Sequence, residues 1–201
     1  MEVQNNKTDN PIRIYKEQFE KMDPEAMSKK SGVPFDGKKF SLIYFDRKVS
    51  LTFPEMETFY EDGSKTGDYV RILLARFIMS GVSVPSTGKF LSYQEVPWGE
   101  TYLDAFRRRC LNRLSGTYGY NTEGFVSACE SIKAKKITGA DFAYEIEILP
   151  GFFVKLLLWA PDEEFGPTSQ ILFSDNFPLA FTAEDLAVVG DVIMNALKGR
   201  W

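Results

Sequence analysis

Asp162, Glu163 and Glu164 form the densest run of groups that could do acid/base or metal chemistry in this chain. They follow an apolar stretch, 156–160, and precede Phe165, Gly166 and Pro167. Three carboxylates at a strand end could bind a hard cation or supply an acid/base pair. Adjacent residues do not normally converge on one point, and the alternating ligand spacing of a calcium loop is missing, so the run also reads as a solvated turn. A second cluster is Arg107, Arg108 and Arg109, with Arg113 one turn on. On an α-helix the three consecutive arginines fan around the axis while Arg109 and Arg113 share a face, so the cluster reads as a solvated, ion-paired face or as a clamp for a carboxylate or phosphate. A third is aromatic: Trp98, Tyr102, Trp159 and Phe165 stand near turns, where rings either line a pocket for a planar ligand or belong to the core.

The rest of the inventory closes chemistries. There is no histidine among the 201 residues, which removes the usual imidazole base, metal ligand and triad member. The two cysteines cannot build a thiolate cage. Cys110 falls in helical register with Leu103, Phe106 and Leu114, and Cys129 with Phe125 and Ile132, so both read as buried packing residues. Neither phosphate-binding glycine frame occurs, and Gly63 to Gly67 (Gly-Ser-Lys-Thr-Gly) is only a loose imitation. No metal site and no cofactor are expected.

Twenty-four basic against 28 acidic residues give a net charge of −4, which argues against a nucleic-acid partner. No apolar run is long enough for a membrane span, and the polar start, 1–10, lacks a signal-peptide core. Reduced thiols in the cytoplasm are therefore expected. Hydrophobic residues at 44% and 17 phenylalanines predict a ring-rich core.

The elements that must position these groups are legible from period and punctuation. Residues 1–10 read as a flexible tail and 11–201 as a single globular domain. Helices are expected from Pro11; from Asp23-Pro24 to Gly32; from an Asp68 cap to Gly81; from Thr101 to about Leu114, stopping at Gly116; from Asn121; and from a capping box at Thr182, with Gly190 allowing close packing. Two hairpins are expected at about 40–53 and 141–159, with a further strand near 169–173. Their best registers set Asp46-Arg47 as the first turn, pairing Tyr44 with Val49, and pair Glu147 with Lys155 in the second. On the outer face of the second hairpin Leu157 and Trp159 accompany Glu145, Glu147 and Lys155, so that half needs a cover. Hairpins plus separate helical blocks mean an α+β fold, an antiparallel sheet packed against four to six helices.

The order of short motifs resembles one family. Residues 32–37 (Gly-Val-Pro-Phe-Asp-Gly) precede the first hairpin. Residues 87–93 (Thr-Gly-Lys-Phe-Leu-Ser-Tyr) run into Glu95-Val96-Pro97, and 159–165 (Trp-Ala-Pro-Asp-Glu-Glu-Phe) are followed by Ile171-Leu172-Phe173 and Glu184-Asp185-Leu186. Together, from about 12 to 198, they resemble the domain-of-unknown-function family numbered 3786, found mainly in anaerobic bacteria and archaea. The resemblance implies no established activity. Some members are fused to a cysteine-rich iron–sulfur module, which implies a role near corrinoid or redox metabolism; this chain has no such module. Members often carry a histidine before the last helix, where this chain has Leu179 and Ala180.

Three readings follow. The first is a non-catalytic binding or accessory domain for a small anionic or planar ligand, or for a redox or corrinoid partner protein, with Trp98, Arg108, Trp159, Asp162, Glu163, Glu164 and Phe165 at the rim. The second is a carboxylate-based enzyme using a divalent cation. The third is a structural or assembly subunit.

Overall fold

The computed structural model describes residues 11–82 and 84–200, so the expected tail at 1–10 lies outside the described residues. Two helices open this part, α1 (Pro11–Phe19) and α2 (Pro24–Ser31). The second starts and stops on its local signals. Asp23 Oδ1 accepts the Glu25 N–H at 3.1 Å, Pro24 takes the first turn, and Gly32 closes the helix at φ 71°.

Strands β1 (Lys39–Tyr44) and β2 (Arg47–Thr52) make the first hairpin. The buried face is the expected one, with Phe40, Leu42, Tyr44, Val49 and Leu51 inside. The register is shifted by two residues from the expected one: Tyr44 pairs with Arg47 and Leu42 with Val49. A two-residue shift keeps every side chain on its face, so alternation alone cannot choose between the two. The turn decides it. Phe45 and Asp46 both take positive φ, 48° and 63°, as a two-residue primed turn requires. Phe45 is buried there, and its N–H donates to the Ile148 carbonyl at 3.1 Å. Strand β3 (Thr58–Tyr60) completes a three-stranded sheet in a stretch too short and irregular to read as a strand.

Helix α3 (Asp68–Ser80) buries the expected Val70, Leu73, Leu74, Phe77 and Ile78. Its cap is Gly67, which leaves Asp68 as the first helical residue. After β4 (Phe90–Ser92), α4 (Gly99–Phe106), a π turn (Arg107–Leu111) and α5 (Asn112–Tyr118) run on as one rod. Gly116 does not stop it, because an isolated glycine merely weakens a helix whose face is buried. Helix α6 (Thr122–Ser131) follows, with the Asn121 side chain accepting from the Gly124 N–H at 3.1 Å.

The second sheet has the order β4-β8-β7-β6-β5, formed with β5 (Lys135–Lys136), β6 (Phe142–Leu149), β7 (Phe152–Trp159) and β8 (Thr168–Ser174). The two hairpins thus belong to separate antiparallel sheets, and the fold is α+β. Glu145, not Glu147, faces Lys155: Leu149 pairs with Phe152, so the turn takes only Pro150 and Gly151, and a bulge between Glu147 and Leu149 adds the second residue of the shift. The bulged Ile148 is the residue whose carbonyl holds the first hairpin's turn. Helices α7 (Phe177–Ala180) and α8 (Ala183–Ala196) end the chain. At the start of α8 Thr182 and Asp185 complete the expected reciprocal cap.

One contiguous core takes in residues of both sheets, and rings dominate it where helices meet the large sheet. Phe77 of α3 meets Phe152 of β7 edge-on at 5.3 Å, and Phe152 meets Phe177 at 5.2 Å. Helices reach the large sheet on one side only, through pairs such as Phe106–Phe173 and Phe125–Tyr144. The other side carries Phe90, Phe153, Trp159 and Leu172, all partly exposed. Leu157 and Ala143 are buried on that side yet stand outside the core cluster. The cover expected over that half is not a helix: Trp159 stays partly exposed, and the ring contact on this side is Lys155 on Phe90, its Nζ 3.7 Å from the ring centre.

Gly190 lets α8 press against the π turn. A Cβ there would overlap Cys110 Sγ and stand 3.2 Å from Cys110 Cβ. Gly190→Ala is expected to cost roughly 1–3 kcal/mol of unfolding free energy by overpacking, read by urea denaturation. A variant as stable as the parent would mean that the two helices are not this close.

Candidate functional site

The loop after β7 is built around one carboxylate. Asp162 Oδ1 accepts the N–H groups of Glu164 at 2.9 Å and Phe165 at 2.7 Å, while the Asp162 N–H donates to the Phe165 carbonyl at 3.0 Å. Those backbone donors hold the Asp162 carboxyl below its ordinary pKa. Glu163 and Glu164 face solvent, and Phe165 is 67% exposed. Trp159 ends β7 on the open side of the sheet, paired with Thr168. Among the described residues no three His, Cys, Asp or Glu side chains gather as a metal-binding group.

The arginines separate as well. Arg109 and Arg113 bind Asp191 of α8, and Arg113 Nη2 also donates to Asn195 Oδ1 at 3.1 Å. Arg107 stands 3.8 Å from Asp104, and Arg108 is exposed. The i→i+5 bond from the Asn112 N–H to the Arg107 carbonyl spreads these side chains differently from the even fan of an α-helix. None of Arg108, Trp159 or residues 162–165 lies in the hollow that holds Trp98.

That hollow is the candidate site because it holds a ring that the sequence singles out, although larger hollows, of about 410 to 580 Å³, lie along the first hairpin. It is a cleft of about 350 Å³ walled by Trp98 and Tyr102 on one side and by Pro178, Phe181 and the first turn of α8, including Glu184, on the other. Each wall is fixed by local chemistry. Ser92 and Glu95 exchange bonds across a short 3-10 turn (Tyr93–Glu95), the Ser92 N–H reaching Glu95 Oε2 at 2.7 Å. Tyr93 stacks on Phe106 at 3.9 Å and donates its hydroxyl proton to the Ala183 carbonyl at 2.7 Å, tying this turn to α8. Gly99 then folds back tightly, its N–H donating to the Val96 carbonyl at 2.9 Å. Between them Trp98 takes φ 65° and leaves its side chain 79% exposed. Tyr102, one helical turn on, is 46% exposed.

A bulky residue in the left-handed region is an outlier that costs of order 1 kcal/mol or more, and such strain gathers at functional sites. An exposed indole held this way recovers nothing through burial. Of the expected site residues, the cleft contains Trp98 alone. Tyr102 stood in the aromatic set without being placed at the rim. Pro178, Phe181 and Glu184 were missed, although the capping box at Thr182 marks where α8 starts.

A family model for a domain of unknown function (DUF3786) matches residues 23–196. The chain belongs to this family. The family's description assigns no activity. No curated protein and no solved structure matches the chain.

Both thiols are sealed. Burial pushes the Cys110 pKa up to about 12, and that of Cys129 further. Their folded pKa values lie above the unfolded value, so the stability they hold is complete below about pH 8.5 and is lost as pH rises beyond it. The loss should reach roughly 1–2 kcal/mol per thiol by pH 10. The carboxyls of Asp36, Asp62, Glu95, Asp162 and Asp175 shift the other way, held low chiefly by hydrogen bonds. Their contribution is present above about pH 4 and fades as pH falls. With no imidazole to titrate between, melting temperature is expected to be flat from pH 6 to 8 and to fall on both sides. A step near pH 6.5 in a pH-resolved thermal melt would contradict this.

Proposed function

We propose that this chain is a non-catalytic binding domain that receives a small planar or ring-stacking ligand between Trp98 and the start of α8. One observation carries the reading: a tryptophan is held at positive backbone φ, almost fully exposed, on the wall of a preformed cleft. A residue that contributes little to packing and costs backbone strain is explained by what it touches when something binds. A place near anaerobic redox or corrinoid metabolism is the finer part of this proposal, and the buried, protonated thiols are compatible with a cytoplasmic setting. The acids at 162–164 carry no competing reading, since Asp162 is engaged by its own loop and its neighbours face water.

The test is a thermal-shift and fluorescence panel of cobamides, flavins, nucleotides, organic acids and small amines on the wild-type chain and on Trp98→Gly. Glycine relieves the left-handed backbone, so the variant is expected to match or exceed the parent's stability by up to about 1 kcal/mol. It should lose all binding that the parent shows. A strongly destabilised Trp98→Gly would make the indole structural, and a panel without any Trp98-dependent binder would remove the reading.

A second reading, an assembly subunit, is favoured by the open side of the large sheet, where Phe90, Phe153, Trp159 and Leu172 are partly exposed. Light scattering over a range of concentrations decides it. A stable oligomer dissociated by Phe153→Lys supports an interface there, and a monomer throughout removes it.

A further inference from the structure

The Trp98 cleft offers rings and a single kind of charge. Trp98 and Tyr102 present exposed rings, and Pro178 and Phe181 line the opposite wall. The charged residue on the wall is Glu184, and no lysine or arginine lines it. Among the described residues Glu184 has no ion-pair partner. Its neighbour Asp185 is already used, bound to Arg76 at 2.7 Å and to the Thr182 N–H at 2.8 Å. The start of α8 would by itself attract an anion, but two acids occupy its first turn, and the cleft-facing one leaves a net negative wall.

We infer that the cleft selects an organic cation of the substituted-ammonium class; this rests on the binding role assigned to the same cleft above. An alkylated ammonium is weakly hydrated, so it enters an apolar hollow at little desolvation cost. The faces of Trp98 and Tyr102 attract it through the ring quadrupole, and the Glu184 carboxylate complements its charge. A bare metal ion is poorly served, because one carboxylate cannot replace six or more oxygen ligands. A free anion would meet Glu184 with no cation to offset it. The cleft, at about 350 Å³, has room for a small amine together with its substituents.

The experiment compares choline and tetramethylammonium with 3,3-dimethylbutan-1-ol, the uncharged isostere of choline, and with a neutral planar probe, riboflavin. Binding is followed by calorimetry and by indole fluorescence in a Trp159→Phe, Trp201→Phe background, which leaves Trp98 as the one indole of the chain. Choline is expected to bind about tenfold more tightly than its isostere, because the two differ only in the charge that the rings and Glu184 can see. Glu184→Gln should remove most of that preference while leaving isostere binding unchanged. Trp98→Gly should abolish both. Equal affinity for choline and the isostere, or a Glu184→Gln variant that keeps the full preference, overturns the inference. Trp98-dependent binding of riboflavin without any cation binding also overturns it, while the cleft's binding role survives. If no probe here or in the wider panel binds through Trp98, both fail together.

Discussion

Asn176→Ala is expected to lower the unfolding free energy by roughly 2–4 kcal/mol, among the largest effects of any polar substitution in this chain. Asn176 is 2% exposed and every one of its side-chain bonds joins a different segment. Its Nδ2 donates to the Val84 carbonyl at 3.0 Å and to the Gly151 carbonyl at 2.9 Å. Its Oδ1 accepts the Ser174 hydroxyl proton at 2.7 Å, and the Ser174 oxygen in turn accepts the Phe153 N–H at 3.0 Å. One side chain thus fastens the connection after α3, the β6–β7 turn and the end of β8. Alanine takes their partner from two carbonyls at part-buried bonds and from the fully buried Ser174 hydroxyl, and the penalty of a buried unsatisfied group exceeds the net worth of the bond itself. Asn176→Asp is no rescue. It restores the acceptor for Ser174 but turns a carboxylate oxygen toward two carbonyls. Urea unfolding of both variants checks this, and a loss below 1 kcal/mol for the alanine variant would show that water replaces the amide.

How much of this was legible follows from which signals are local. Caps are local, and Asp23, Asn121 and the pair Thr182 and Asp185 act as their sequence context says. Faces are local too, because strand alternation and helical period need only the segment itself. Register is not. Both hairpins missed by two residues: the first through a primed turn without glycine or asparagine at Phe45-Asp46, the second through a two-residue turn at Pro150-Gly151 together with a bulge at Ile148, and the Phe45 N–H bonds the Ile148 carbonyl across the separate sheets. The π turn was illegible for a similar reason: it sits where Arg109, Arg113 and Cys110 must all meet α8. The candidate site was half legible. An exposed ring beside a turn flagged Trp98, but its cleft partners come from 80 residues downstream, and nothing in a linear pattern joins them. The acids at 162–164 drew attention by type and number, although a backbone-capping role for Asp162 uses one carboxylate and leaves the rest to solvent.

Gly99→Ala is expected to cost 3 kcal/mol or more, at the upper end of overpacking effects, and to disturb the Trp98 cleft at the same time. A methyl at this position would run into the Tyr93 carbonyl oxygen and stand 2.9 Å from Val96 Cγ2 and 3.0 Å from the Tyr93 carbonyl carbon. Those neighbours are backbone or closely tied to it, so they cannot swing aside. Tyr93 itself is locked between Phe106 and the Ala183 carbonyl. The strain must then be released at Trp98, the residue already in an unfavourable conformation. Gly116→Ala, further along the same rod, is the control. A Cβ there meets nothing within 4 Å, and the substitution should stabilise the helix by about 0.5–1 kcal/mol. Urea unfolding reads the first effect, and indole fluorescence with Trp98-dependent binding reads the second. A Gly99→Ala protein as stable as the Gly116→Ala one would mean that the turn from Tyr93 to Gly99 is looser than drawn. In that case the cleft is not preformed, and the exposed indole would no longer be evidence of a binding surface.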